Sequence, residues 1–170
     1  MLSLHREALI GISSYAGNWR PAGVAIEKSK HVPPGAHLVP EYVEFLCDYV
    51  NDNWGATPLH LSAYIMWRLN WIHPFADGNG RTSRVLSYVI LSIRAGYVLP
   101  GAPTIPDLIK DHRSQYFAAL DAADDALKQT GENDISLMEE FIGGLLAKQL
   151  TSFYRSAGGK IDFSEENEHS

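Results

Sequence analysis

One stretch in the middle of the chain gathers residue types that could do chemistry together: His73-Pro74-Phe75-Ala76-Asp77-Gly78-Asn79-Gly80-Arg81-Thr82-Ser83-Arg84. His73 is the one side chain in it that takes up a proton near neutral pH. Gly78 and Gly80 flank Asn79, so an anion could approach backbone N–H groups closely where a new helix opens. Arg81 and Arg84 fall in the first turns of that helix, where the positive end of the macrodipole penalises each cation by a few tenths to about 1 kcal/mol. An anion with more than one phosphate group would offset both. Asp77, a hard carboxylate beside them, suits Mg²⁺ bridging phosphate oxygens. Taken singly, each residue has an ordinary structural explanation: a cap, a turn, a solvated face.

Two helices must hold this loop. Before it, Leu61, Tyr64, Ile65, Leu69 and Ile72 recur at helical spacing over 57–72, with Pro58 suited to the first turn and Pro74 expected to stop the helix at His73. After it, Val85, Leu86, Val89, Ile90 and Ile93 predict a second helix that ends at Gly96. Side chains tilt toward a helix's N-terminus, so Arg84 should reach back over the opening that Arg81 flanks.

The whole stretch resembles the core motif of the Fic family, His-x-Phe-x-(Asp/Glu)-Gly-Asn-Gly-Arg-x-x-Arg, with every specified position present. The resemblance implies transfer of AMP from ATP to a Tyr, Thr or Ser hydroxyl of a target protein, that is, a protein adenylyltransferase. It assigns His73 as general base and Asp77 as the holder of Mg²⁺ (or Mn²⁺). Gly78, Asn79 and Gly80 form the anion hole, Arg81 meets the phosphate chain, Arg84 meets the γ-phosphate, and Phe75 anchors the loop. Tyr116, within Tyr116-Phe117-x-x-Leu120, would border the adenine, although a Tyr on an apolar helical face commonly belongs to the core. Asp124 stands where relatives often place a nucleotide-binding Asn, and Met66 where many have a second histidine. The alternatives are a catalytically silent module that binds nucleotide or a partner, and transfer of a different phosphate-linked group. Relatives that phosphorylate carry lysine in place of the second motif glycine, which argues for attack on the α-phosphate here.

Upstream, Val24-Ala25-Ile26 and Lys30-His31-Val32 predict a small hairpin. Gly17-x-Trp19-Arg20 through Pro33-Pro34 resembles the family's flap, which would hold a target segment by strand addition. The expected architecture is therefore all-α, a Fic-type helical bundle with one β-hairpin flap at about 17–34. The domain would span 1–155, with an acidic, disordered tail over 156–170. Further helices are expected over 2–12, 40–51 and 105–129, the last broken near His112. Ser136-x-x-Glu139 reads as a capping box opening a final helix. Cys47, among apolar neighbours, reads as a core thiol.

A net charge of −6 argues against a general nucleic-acid or anionic-membrane surface, which makes the two motif arginines local exceptions. No apolar run is long enough to span a bilayer and no N-terminal signal is visible, so a cytoplasmic location is expected, with delivery into another cell left open. The family's inhibitory pattern, (Ser/Thr)-x-x-x-Glu-(Gly/Asn), has no complete match. The inhibitory glutamate would come from an upstream segment, from an antitoxin-like partner, or from a degenerate match such as Ser3…Glu7.

Overall fold

The computed structural model describes residues 1–27 and 29–160, which form seven α-helices and two short 3₁₀ turns. The helices are α1 (Leu2–Leu9), α2 (Val39–Asp52), α3 (Pro58–Ile72), α4 (Asn79–Ala95), α5 (Ile105–Leu108), α6 (Arg113–Thr130) and α7 (Ser136–Ser156). Helix α3 is the axle. Residues Leu61 to Trp67 are buried without interruption, and α2, α4, α6 and α7 all pack against it. A helix apolar on one face only could not satisfy so many neighbours. Thr57 caps it, its hydroxyl accepting from the His60 N–H at 3.1 Å. Helix α4 lies close alongside because small residues meet at the contact: the Ser62 and Ser87 hydroxyls are 2.7 Å apart, and Ser87 Oγ donates to the Ser62 carbonyl at 2.8 Å.

The helix ends follow local signals. Gly96 closes α4 and Gly131 closes α6, each in the left-handed conformation. The expected break near His112 is present, as a 3₁₀ turn over Ile109–Asp111 between α5 and α6. Of the tail expected over 156–170, Ser156 ends α7 and residues 157–160 follow it, while residues 161–170 lie outside the described residues.

Three expectations are corrected. There is no strand among the described residues, so the flap hairpin is not formed. Residues 21–27 and 29–35 have no regular secondary structure, and the segment is tied down at both ends by the buried Arg20, which donates to the carbonyls of Ala22 and Pro34. A lone two-stranded ribbon is marginal in water, and here the side-chain fork supplies the closure that a ladder would have supplied. The Ser136–Glu139 capping box is absent as well. Asp134 accepts from the Ser136 N–H, while Glu139 turns away to meet His60 at 2.7 Å. Cys47 is exposed, because Leu46 and Val50 take the inward face of α2.

Candidate active site

The loop between α3 and α4 is held from three directions. His73 ends α3 in the left-handed conformation (φ 50°), the sole non-glycine residue with positive φ among the described residues. Such a backbone costs on the order of 1–3 kcal/mol and needs support from its surroundings. Arg20 supplies it: its Nε donates to the His73 carbonyl at 2.8 Å, and its own N–H donates to the Pro74 carbonyl at 2.9 Å. The second brace is Asn79, whose carboxamide accepts from the Phe75 N–H (2.9 Å) and donates to the Phe75 carbonyl (2.8 Å). Its side chain is therefore structural, and only its backbone faces the anion position.

The third brace, His5, was not foreseen. Its ring stacks on the buried Phe75 at 3.6 Å, its Nε2 donates to the Asp77 carbonyl at 2.9 Å, and its Nδ1 accepts from the Gly17 N–H at 2.9 Å. The apolar spacing of α1 (Leu4, Ala8, Leu9, Ile12) includes the buried Leu9, but the second buried residue is the polar His5, and Ile12 is exposed. The one available signal was that positions 5 and 9 share a helix face.

At Gly78 (φ 79°) the chain turns into α4, and a Cβ there would lie 2.8 Å from Leu9 Cδ1. The Gly78 N–H is taken by the Asp77 carboxylate at 2.6 Å, and the first bond inside the helix runs from Thr82 to Gly78. The N–H groups of Asn79, Gly80 and Arg81 thus form the first turn, which has no acceptor within the helix. Arg84 folds back over this turn, since its Nη1 would sit 3.1 Å from a Cβ on Gly80. Arg81 pairs with Asp77 at 3.0 Å on the outer rim. Asp77, Gly78, Asn79, Gly80, Arg81 and Arg84 are therefore gathered around one helix terminus, as their spacing predicts.

Tyr116 lies in the core directly behind the motif. It is 3 % exposed in the core, its hydroxyl accepting from Asn70 Nδ2 at 2.9 Å close to Arg84, and burial raises its phenol above the usual range. Its neighbour Phe117 instead lines a cavity of about 530 Å³, together with His31, Asn70, Trp71, Asp124 and His73 itself. Met66 is fully buried.

His73 lines this cavity and precedes the α4 terminus in the chain. Its Nδ1 lies 3.3 Å from the Asn70 carbonyl, a partner for an N–H and not for a lone pair, which leaves Nε2 free to accept a proton. Burial lowers its pKa first of all, the Asn70 carbonyl opposes that, and the Arg20 and His31 charges lower it further. Among the described residues no cluster of three or more His, Cys, Asp or Glu could hold a metal unaided. The Asp77 carboxylate is 61 % exposed at the side chain, and each oxygen keeps a lone pair beyond its bond to Gly78 or Arg81. That suits Mg²⁺, which takes one carboxylate along with phosphate oxygens and water.

Comparison with known proteins agrees with this geometry. A model of the Fic/DOC family matches residues 1–91. Proteins named "Protein adenylyltransferase Fic" from Drosophila willistoni and Drosophila melanogaster are each 33 % identical over 153 residues, 88 % of this chain and 28 % of theirs. This chain thus spans less than a third of the length of those curated relatives. A Fic family protein from Desulfovibrio desulfuricans G20 superposes with a TM-score of 0.77 at 28 % identity, over 95 % of this chain and 48 % of that one. Fic-1 (residues 134–508) from C. elegans, at 22 % identity over 92 % of this chain and 42 % of its own, shares the fold with a TM-score of 0.71. With the family model covering more than half of its length and its motif closed around one helix terminus, the chain belongs to the Fic/DOC family.

Proposed function

We propose that this chain is a protein adenylyltransferase that moves AMP from ATP to a Tyr, Thr or Ser hydroxyl of a target protein. The observation that carries the reading is His73, a base with a free Nε2 that lines a nucleoside-sized cavity on the loop leading into a helix terminus with open N–H groups. Homologues named adenylyltransferase support the same reaction class.

The triphosphate would lie on the Asn79, Gly80 and Arg81 N–H groups, with Arg81 along the phosphate chain and Arg84 at its γ end. The nucleoside would occupy the cavity beside Phe117. His73 Nε2 takes the proton of the target hydroxyl as its oxygen bonds to the α-phosphorus, and the bond to the β-phosphate oxygen breaks to release pyrophosphate. Mg²⁺ held by Asp77 and phosphate oxygens would neutralise charge on the leaving group. Little else is asked of the protein, since such transfers depend on positioning and charge stabilisation. Removing a base of this kind costs roughly 10²–10⁴-fold. The irregular backbone before Glu27 would dock the target segment by strand addition, completing there the pairing that the free chain lacks.

ATP labelled at the α-phosphate tests the reading. Label should enter protein with the wild type and not with His73→Ala, and mass spectrometry of proteins modified only by the wild type identifies the target. Label arriving from the γ-phosphate and not the α-phosphate would sink α-phosphate attack. ATP binding without transfer, with either Mg²⁺ or Mn²⁺, would favour a silent binding module.

A further inference from the structure

A groove of about 300 Å³ runs between the start of α6 and the outer side of α7. His112 and Gln115 line it, whereas Arg113 and Phe117 line the cavity of His73, so the two spaces take different residues from the start of α6. Its floor is apolar: Leu137, Phe141 and Leu145 follow one another at helical spacing on α7, with Leu145 buried and Leu137 43 % exposed. Gly144 makes the room. A Cβ on its neighbour Gly143 would pack 3.6 Å from Leu59 of α3, while one on Gly144 would meet nothing within 4 Å. A glycine inside a helix costs about 0.5–1 kcal/mol relative to alanine, and at Gly144 no packing contact accounts for it.

Opposite charges stand along the groove. Glu140 and Lys148 both line it from α7, eight positions apart and therefore about 12 Å along the axis at 1.5 Å per residue. Lys148 is held in place. Its Nζ donates to His112 Nε2 at 2.7 Å, and His112 Nδ1 donates to the Leu108 carbonyl at 2.8 Å, which leaves Nε2 as the acceptor. An ammonium that is already positioned spares a ligand part of the side-chain entropy it would otherwise have to offset. Neither charge is neutralised: among the described residues no carboxylate pairs with Lys148 and no cation pairs with Glu140.

We propose that this groove binds the C-terminal end of an extended peptide: its terminal carboxylate on Lys148, an apolar last side chain beside Gly144 over Phe141 and Leu145, and a basic side chain two residues earlier on Glu140. The ammonium of Lys148 has two N–H groups left beyond its bond to His112, which suits a carboxylate with several lone pairs. In an extended chain, side chains two residues apart point to the same side and stand about 7 Å apart, so both would face α7. The length of a basic side chain covers the rest of the distance to Glu140. Charge order along the groove therefore sets the direction of the peptide as well as its composition. The proposal is independent of the transfer reaction, since no residue of the groove belongs to the motif.

The test is a titration of the intact, nitrogen-15-labelled chain with the peptide N-acetyl-Lys-Ala-Leu, followed by NMR. The amides of Gly144 and Gln115 should shift saturably, with a Kd on the order of 1 mM for so small and open a site. Converting the peptide's carboxylate to an amide should weaken binding about tenfold, and Lys148→Met should weaken the free acid to the level of the amide. Glu140→Lys should weaken N-acetyl-Lys-Ala-Leu and strengthen N-acetyl-Glu-Ala-Leu, a reversal of preference that a merely structural effect would not produce. Gly144→Leu should close the groove to both peptides. These positions are exposed, and the same spectra report whether each variant is folded. No saturable shift at about 10 mM peptide would overturn the proposal. So would equal binding of acid and amide, which would make the groove a seat for an internal apolar segment, and so would shifts centred on Asn70 and Phe117, which would put the peptide in the cavity of His73.

Discussion

In the proposed reaction His73 is the base, and its environment makes a pH prediction with a definite sign. Burial, only partly opposed by the Asn70 carbonyl, lowers its pKa below the ordinary histidine value of about 6.5. The acid limb of the transfer rate should therefore lie below that value, leaving the rate flat from neutrality down to it; a pH–rate profile falling already above pH 7 would contradict this. In the window between the folded and unfolded midpoints the unfolded chain binds a proton that the folded one refuses, so stability also declines with falling pH there. Gly80 makes a second prediction. Alanine suits a helix better than glycine by about 0.5–1 kcal/mol, but its methyl would press on Arg84 at 3.1 Å and stand where the proposed triphosphate would approach. Gly80→Ala should melt no lower than wild type while binding ATP about tenfold more weakly, ~1.4 kcal/mol. Calorimetric titration beside thermal denaturation separates the two effects.

At the scale of elements, the loop is held by groups remote in sequence, and Arg20 is the clearest case. Its guanidinium serves the carbonyls of His73, Ala22 and Pro34 together, a fork that the single ammonium of lysine cannot reproduce. Each buried carbonyl left without a donor costs about 1–3 kcal/mol. Arg20→Lys should lower the melting temperature and quicken hydrogen exchange in residues 21–35 and 73–78, leaving α6 and α7 protected. Asn79→Ala strands both backbone groups of Phe75 and should act on the same loop, with slower exchange changes in 21–35 than Arg20→Lys produces.

Across the whole molecule, α3 joins the core to the site. Trp67 is fully buried and its indole N–H serves Asp124, so the interior that stabilises the bundle also orients the cavity wall. Trp67→Phe removes that donor and part of the ring volume. Urea denaturation should show a loss of about 1–3 kcal/mol with an unchanged slope, since the area exposed on unfolding hardly alters. Among the described residues no helix is long and apolar enough to cross a membrane.

What the sequence determined by itself is local. Pro58, Pro74, Gly96 and Gly131 bound the helices because their effects act on backbone within a turn of themselves. The motif residues converge because twelve consecutive positions can only be gathered around the one helix start that they encode. Only the tertiary structure decided where polar side chains of distant elements would find partners. His5 could be seen as a brace only once α1 met the loop, and Glu139 chose His60 over its own helix start because α7 packs on α3. Strand pairing at 21–35 likewise depends on a neighbour, and the partner that closed the segment was a guanidinium. A buried polar group must be satisfied by whatever the packing brings to it, and packing is not written in spacing along the chain.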